Sequence, residues 1–117
     1  MASAREHKNT KNRIRLSLGK RPDVVIWNNE SGVARYGHQS VRYGVGKGGS
    51  DLIGIVETGR LIALEVKTGK ARLTKEQTLF LKLVIKMGGH AAVVRSVEDA
   101  NREVDSALHK ARGVQDN

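Results

Sequence analysis

Two carboxylates and an ammonium stand at spacings that could do metal-assisted phosphate chemistry: Asp51, Glu65 and Lys67. The run Arg60-Leu-Ile-Ala-Leu-Glu-Val66 reads as a strand. Alternation then puts Leu61, Ala63, Glu65 and Lys67 on one face and Ile62, Leu64 and Val66 on the other. A carboxylate and an ammonium on one face of an apolar strand are costly unless paired or used. Two carboxylates meeting at a sheet edge make a hard-oxygen site suited to Mg2+ or Mn2+. Such an ion can bind a phosphate, lower the pKa of a bound water and neutralise developing charge. Lys67 would orient that water or stabilise the negative transition state.

Whether Asp51 joins the pair depends on strand register. The second clear strand is Asp51-Leu-Ile-Gly-Ile-Val-Glu57, joined tightly to its neighbour around Thr58-Gly59. A two-residue turn would pair 51 with 66 and send Asp51 to the wrong face. A three-residue loop, Glu57-Thr58-Gly59, pairs 56 with 60 and therefore 51 with 65, with Gly59 in the left-handed position such a loop prefers. The three-residue loop is the prediction. The same residues admit blander roles: an exposed Glu65–Lys67 ion pair on a solvated face, Asp51 capping a turn, Gln77 serving only as a helix cap. His7, His38, His90 and His109 show no ligand spacing and receive no role.

Around these residues the chain orders its elements as helix, strands, helix, strand, helix. A modest helical pattern runs from about Thr10 to Leu18 and stops at Gly19. Val24-Val25-Ile26-Trp27 reads as a buried strand, and Asn28 to Gly32 as a turn cluster. Residues 33–36 and 41–43 flank Gly37-His38 as a short hairpin. Gly44 to Ser50 holds four glycines. Those at 46, 48 and 49 would let a phosphate backbone approach, with Lys47 supplying charge. Thr74 opens the best helix, with Thr74 and Gln77 as a capping box, an apolar stripe of Leu79, Phe80, Leu83, Val84 and Met87, and a stop at Gly88-Gly89. A strand over 91–94 and a polar helix over about 97–112 complete a mixed α/β domain, taken as a single unit over 1–117.

Composition narrows the class. The chain carries 21 Lys and Arg against 12 acids, a net charge of +9. The excess is lopsided: residues 1–50 hold ten bases and three acids, residues 51–117 eleven and nine. A basic half on a small domain is the electrostatic footprint of a polyanion partner, which by itself brings affinity without chemistry. No cysteine is present, so disulfides and thiolate zinc sites are excluded. No apolar run is long enough to span a bilayer, and the basic start is unlike a signal peptide, so a soluble, cytoplasmic protein without membrane partners is expected.

The strings Gly48-Gly49-Ser50-Asp51-Leu52-Ile53-Gly54, Leu64-Glu65-Val66-Lys67-Thr68 and Leu73-Thr74-Lys75-Glu76-Gln77, in that order, resemble the PD-(D/E)XK nuclease superfamily. More narrowly they resemble the VRR-NUC group (virus-type replication-repair nucleases) in its stand-alone, phage-like form, over about residues 21–95. Asn28-Asn29-Glu30-Ser31-Gly32 and Arg42-Tyr43-Gly44 share that likeness. The resemblance implies a restriction-endonuclease-like core with a mixed central sheet flanked by helices. It implies metal ligation by Asp51, Glu65 and the Val66 carbonyl, catalysis by Lys67 and a positioning role for Gln77. The superfamily's frequent first-helix acid has no clear counterpart: Glu6 serves, Glu30 substitutes, or the position is vacant. Stand-alone members resemble homodimeric resolvases of four-way (Holliday) DNA junctions, as in DNA repair. Arg35, Arg42, Lys47, Lys70, Arg72 and Lys75 are the candidate phosphate contacts. A metal-dependent DNA endonuclease is therefore the expectation. The alternatives are a non-catalytic basic nucleic-acid-binding module, or a nuclease acting on flaps, linear duplex or RNA. The scarcity of aromatics (Trp27, Tyr36, Tyr43, Phe80) argues against single-strand recognition by stacking.

Overall fold

A computed structural model describes residues 3–29, 32–43 and 48–111, with 32–36, 41–43, 110 and 111 described by their backbone alone. The elements in chain order are α1 (Ala4–Leu18), β1 (Val24–Asn28), β2 (Gly32–Tyr36), β3 (Gln39–Tyr43), β4 (Leu52–Val56), β5 (Leu61–Val66), α2 (Lys75–Lys86), β6 (His90–Val94) and α3 (Val97–Ala111). Four strands form one sheet in the order β1-β4-β5-β6, antiparallel except for the β5–β6 pair, whose parallel run requires the crossover through α2. Hairpin β2–β3 is a separate two-stranded sheet closed at Gly37-His38 and inserted between β1 and β4. This is the mixed α/β architecture expected.

The two faces of the sheet are covered unequally. Ile62, Leu64 and Val66 of β5 join Leu52, Val56, Val24 and Val94 against α1 (Ile14, Leu18) and α3 (Ala100, Val104, Ala107, Leu108). On the other face α2 covers only β5 and β6, through Leu81 and Val84 over Ala63, with Leu73, Phe80, Ala91 and Val93 at the margin. Away from α2, Ile53 on that face is buried, but Val25, Ile55 and Leu61 form one exposed row across three strands, with Trp27 also exposed.

Four expectations need correction. Helix α1 begins at Ala4, six residues before its apolar pattern, because Ser3 caps it by accepting the Glu6 N–H. Strand β1 is buried on one face only. On α2, Val84 is buried and Phe80 partly so, but Leu79, Leu83 and Met87 face outward and Leu81 takes the buried place. Helix α3 is strongly two-sided rather than polar, since its residues at 100, 104, 107 and 108 lie in the core. Among the described residues, no helix is long and apolar enough to cross a membrane.

Candidate active site

The register of β4 and β5 brings the chemistry together. Leu52 pairs with Leu64 and Ile55 with Leu61, so position 51 continues the ladder opposite 65. The loop is the three-residue one: the Val56 N–H donates to the Arg60 carbonyl, the Gly59 N–H donates to the Val56 carbonyl, and Gly59 has φ 92°. Where the backbone ladder ends, Asp51 replaces it with its side chain, Oδ2 accepting the Val66 N–H at 2.9 Å. Asn29, just past the end of β1, fixes this segment, its backbone N–H donating to the Asp51 carbonyl and its Nδ2 to the Ser50 carbonyl, both at 2.9 Å.

Glu65 lies on the α2 face of the sheet and is only 2% exposed, which overturns the reading of a solvated ion pair. Its Oε2 accepts a hydrogen bond from Gln77 Nε2 at 3.1 Å and stands 3.5 Å from Lys67 Nζ. Its Oε1 is buried and receives no hydrogen bond. Burial, then the adjacent Asp51 carboxylate, push the Glu65 carboxyl up to about 7, against a smaller downward pull from Lys67. Two carboxylates so placed can be joined only by a proton or a cation.

Gln77 does two jobs at once. It completes the capping box with Thr74, its Oε1 accepting the Thr74 N–H at 2.9 Å and its own N–H donating to Thr74 Oγ1. The same Oε1 accepts from Lys67 Nζ at 2.8 Å. The amide thus sits between Lys67 and Glu65, and its cap geometry sets where both are held.

One residue at the site was not among the candidates. His7 Nε2 lies 3.1 Å from the Val66 carbonyl oxygen and 3.3 Å from Asp51 Oδ2. Glu6, its neighbour, is exposed in the first turn of α1. The signal was present: His7, Thr10, Ile14 and Leu18 recur at helical spacing on the buried side of α1. Arg95 was missed as well. It donates to the carbonyls of Gly69 (3.1 Å) and Ala71 (2.8 Å), holding the connection that carries Lys70 and Arg72. Lys70, Arg72 and Lys75 are all exposed. Glu30 and Lys47 fall outside the described residues, as do the side chains of Arg35 and Arg42. Gly48 serves the fold itself: with φ 85°, a Cβ there would meet the Glu76 backbone of α2 at 2.7 Å. The other histidines lie away from these residues in sequence, and His90 Nε2 pairs with Glu103 Oε1 at 2.7 Å, tying β6 to α3.

A mixed sheet with an aspartate at the start of one strand, and glutamate-x-lysine at the end of its antiparallel partner, is the arrangement of the PD-(D/E)XK nucleases. The VRR-NUC domain family model matches residues 36–98, more than half of the chain, and the chain belongs to that family. The match runs from the last residue of β2 into α3 and contains Asp51, Glu65, Lys67 and Gln77. A search of curated proteins gives no match. The family makes this a nuclease of the PD-(D/E)XK type, with DNA as its partner.

Among the described residues no three His, Cys, Asp or Glu side chains form a group that could by themselves hold a metal ion. Oxygen donors are nonetheless at hand: Asp51, the partnerless Glu65 Oε1 and the Val66 carbonyl. A buried carboxylate oxygen with no hydrogen-bond donor, beside a second carboxylate, fits a hard divalent cation.

Proposed function

We propose that this chain is a divalent-metal-dependent DNA endonuclease, using Mg2+ or Mn2+, that acts as a homodimer on branched DNA such as four-way junctions. The observation that carries the catalytic part is the buried Glu65 carboxylate beside Asp51, whose Oε2 is held by Gln77 and Lys67 while Oε1 has no hydrogen-bond donor. Asp51, Glu65 and the Val66 carbonyl are the residues that would hold the ion. When bound, it supplies phosphate binding, charge neutralisation and a more acidic water.

The chain's own groups do the rest. Lys67 donates hydrogen bonds from a fixed place, because Gln77 Oε1 holds its ammonium; it orients the attacking water and steadies charge on the phosphate. Gln77 is a positioning residue for both Lys67 and Glu65. Lys70, Arg72 and Lys75, all exposed, contact flanking phosphates, and Arg35, Arg42 and Lys47 are further candidate contacts named from the sequence.

Selectivity for junctions rests on the likeness to stand-alone family members and on symmetry. One domain offers one site, and paired incision of a four-way junction needs two related by a twofold axis. The bare row of Val25, Ile55 and Leu61 is aliphatic and offers nothing to phosphate; a second copy of the same row is its natural cover.

A panel of four-way junction, flap, linear duplex, single-stranded DNA and RNA, each with Mg2+ or Mn2+, tests this reading. The expected result is symmetric cleavage of the junction, lost in Lys67→Ala with junction binding retained, by a particle of twice the chain mass. Salt-sensitive binding with no cleavage of any substrate would identify a non-catalytic binding module instead.

A further inference from the structure

We propose that His7 is a nitrogen ligand of the site's metal ion, beside Asp51 and the Val66 carbonyl, and that it biases the site toward Mn2+ over Mg2+. This rests on the metal-dependent reading above. His7 lies outside the segment matched by the family model, so its role has to come from its surroundings.

The fold fixes where His7 points. The stripe of Thr10, Ile14 and Leu18 docks α1 on the sheet, and His7 extends it by one turn to the sheet's end. There its Nε2 faces two oxygens at once, Val66 O at 3.1 Å and Asp51 Oδ2 at 3.3 Å. A single Nε2–H can satisfy only one of these acceptors well, whereas a lone pair directed at a shared cation satisfies the whole set. Two ligands at right angles, each about 2.2 Å from one ion, stand about 3.1 Å apart. The two separations around His7 are those of neighbouring ligands. The Glu65 carboxyl, adjacent to Asp51 and with a buried Oε1 that has no hydrogen-bond donor, is a second sign that the pocket expects a cation.

Chemistry then predicts the metal. An imidazole replaces a carboxylate with a neutral, softer donor, which lowers the charge offered to Mg2+ and suits Mn2+ or Co2+ better.

The test is electron spin-echo spectroscopy on the full chain loaded with Mn2+, with calorimetric titrations alongside. Wild type should show nitrogen modulation of the Mn2+ echo, and both His7→Ala and His7→Gln should lose it. His7→Ala should weaken Mn2+ binding by about tenfold or more and Mg2+ binding by less. His7→Glu should move the preference toward Mg2+. Mn2+ bound without nitrogen modulation, or modulation that persists in both variants, overturns the assignment of His7 alone. If Mn2+ does not bind the wild type at all, the metal-dependent reading falls and His7's role falls with it.

Discussion

Lys67 Nζ stands closer to Gln77 Oε1, at 2.8 Å, than to Glu65 Oε2, at 3.5 Å. The ammonium just past the end of β5 is therefore held first by a helix cap and only second by the carboxylate two residues before it. Stability of α2 and geometry of the site are coupled through one amide, and substitutions can pull them apart.

Thr74→Ala removes the acceptor of the Gln77 N–H and leaves the Gln77 side chain in place. It should cost about 1 kcal/mol of stability and leave cleavage close to wild type at temperatures where the protein is folded. Gln77→Ala should cost a similar amount of stability but lower the cleavage rate by about ten- to a hundredfold, because Lys67 and Glu65 both lose their positioning partner. Gln77→Glu keeps a capping residue yet replaces the donor to Glu65 with another carboxylate, so it should lose cleavage as Gln77→Ala does while retaining more of the melting temperature. Melting curves and single-turnover rates on the three variants decide the matter; equal rate losses for Thr74→Ala and Gln77→Ala would reduce Gln77 to a cap.

Glu65 makes the metal-free protein pH-sensitive. Its folded-state pKa, about 7, lies above the ordinary 4.5, so between these values the folded state binds more protons than the unfolded one. Stability then falls as pH rises. It should be highest below about pH 4.5 as far as this group is concerned, decline through pH 7 and level off above, with a total loss of about 1–3 kcal/mol. Denaturant titrations from pH 5 to 8 in the presence of a chelator measure the slope. Glu65→Gln should flatten it, and saturating Mn2+ should oppose the loss in wild type. An unchanged slope in Glu65→Gln would place the titrating group elsewhere.

The β4–β5 register was legible because face alternation and loop length leave only two choices for Asp51, and only the three-residue loop gives Gly59 a left-handed position without asking the same of Thr58. The capping box at Thr74 and Gln77 was legible for a similarly local reason. The buried face of α2 was not. With Gln77 turned toward Glu65, residues 81 and 84 must follow it inward, one and two turns on; a polar residue thus sets the inward stripe, and hydrophobicity alone points to Leu79, Leu83 and Met87 instead. His7 escaped notice for the same reason, as a polar member of a buried stripe whose apolar members begin later. The start of α1 was hidden because residues 4–9 carry no apolar periodicity, and only the Ser3 cap marks it.

Gly48 separates the needs of the fold from those of the ligand. A glycine in this loop reads as room for a phosphate, yet its missing Cβ leaves room for the Glu76 backbone at 2.7 Å, in a backbone conformation with φ 85°. Gly48→Ala should therefore destabilise the protein by about 2–3 kcal/mol, combining left-handed strain with a clash against backbone that has little freedom to move. Because the clash is at the first turn of α2, cleavage should fall with it as Gln77 shifts. An alanine variant with an unchanged melting temperature but weakened DNA binding would return the glycine to the phosphate.

The exposed bases of the β5–α2 connection can be divided into charge and shape by salt. Lys70 and Arg72 lie on a segment whose Gly69 and Ala71 carbonyls are gripped by Arg95, and Lys75 opens α2 directly after it. If Arg72 and Lys75 contact phosphates, alanine at either position should weaken binding to every DNA form alike and lower the slope of log affinity against log salt by about one. Lys86→Ala, at the opposite end of α2, removes the same charge and should leave that slope unchanged. Arg95→Lys is the informative contrast: it keeps the charge but loses the two-carbonyl grip, since a lysine cannot reproduce the planar fork. It should weaken binding through a loosened connection while the salt slope stays at the wild-type value. Fluorescence anisotropy on one junction and one duplex, over a range of salt concentrations, reads all four variants; a slope that drops in Lys86→Ala as much as in Arg72→Ala would make these bases a diffuse field rather than a contact surface.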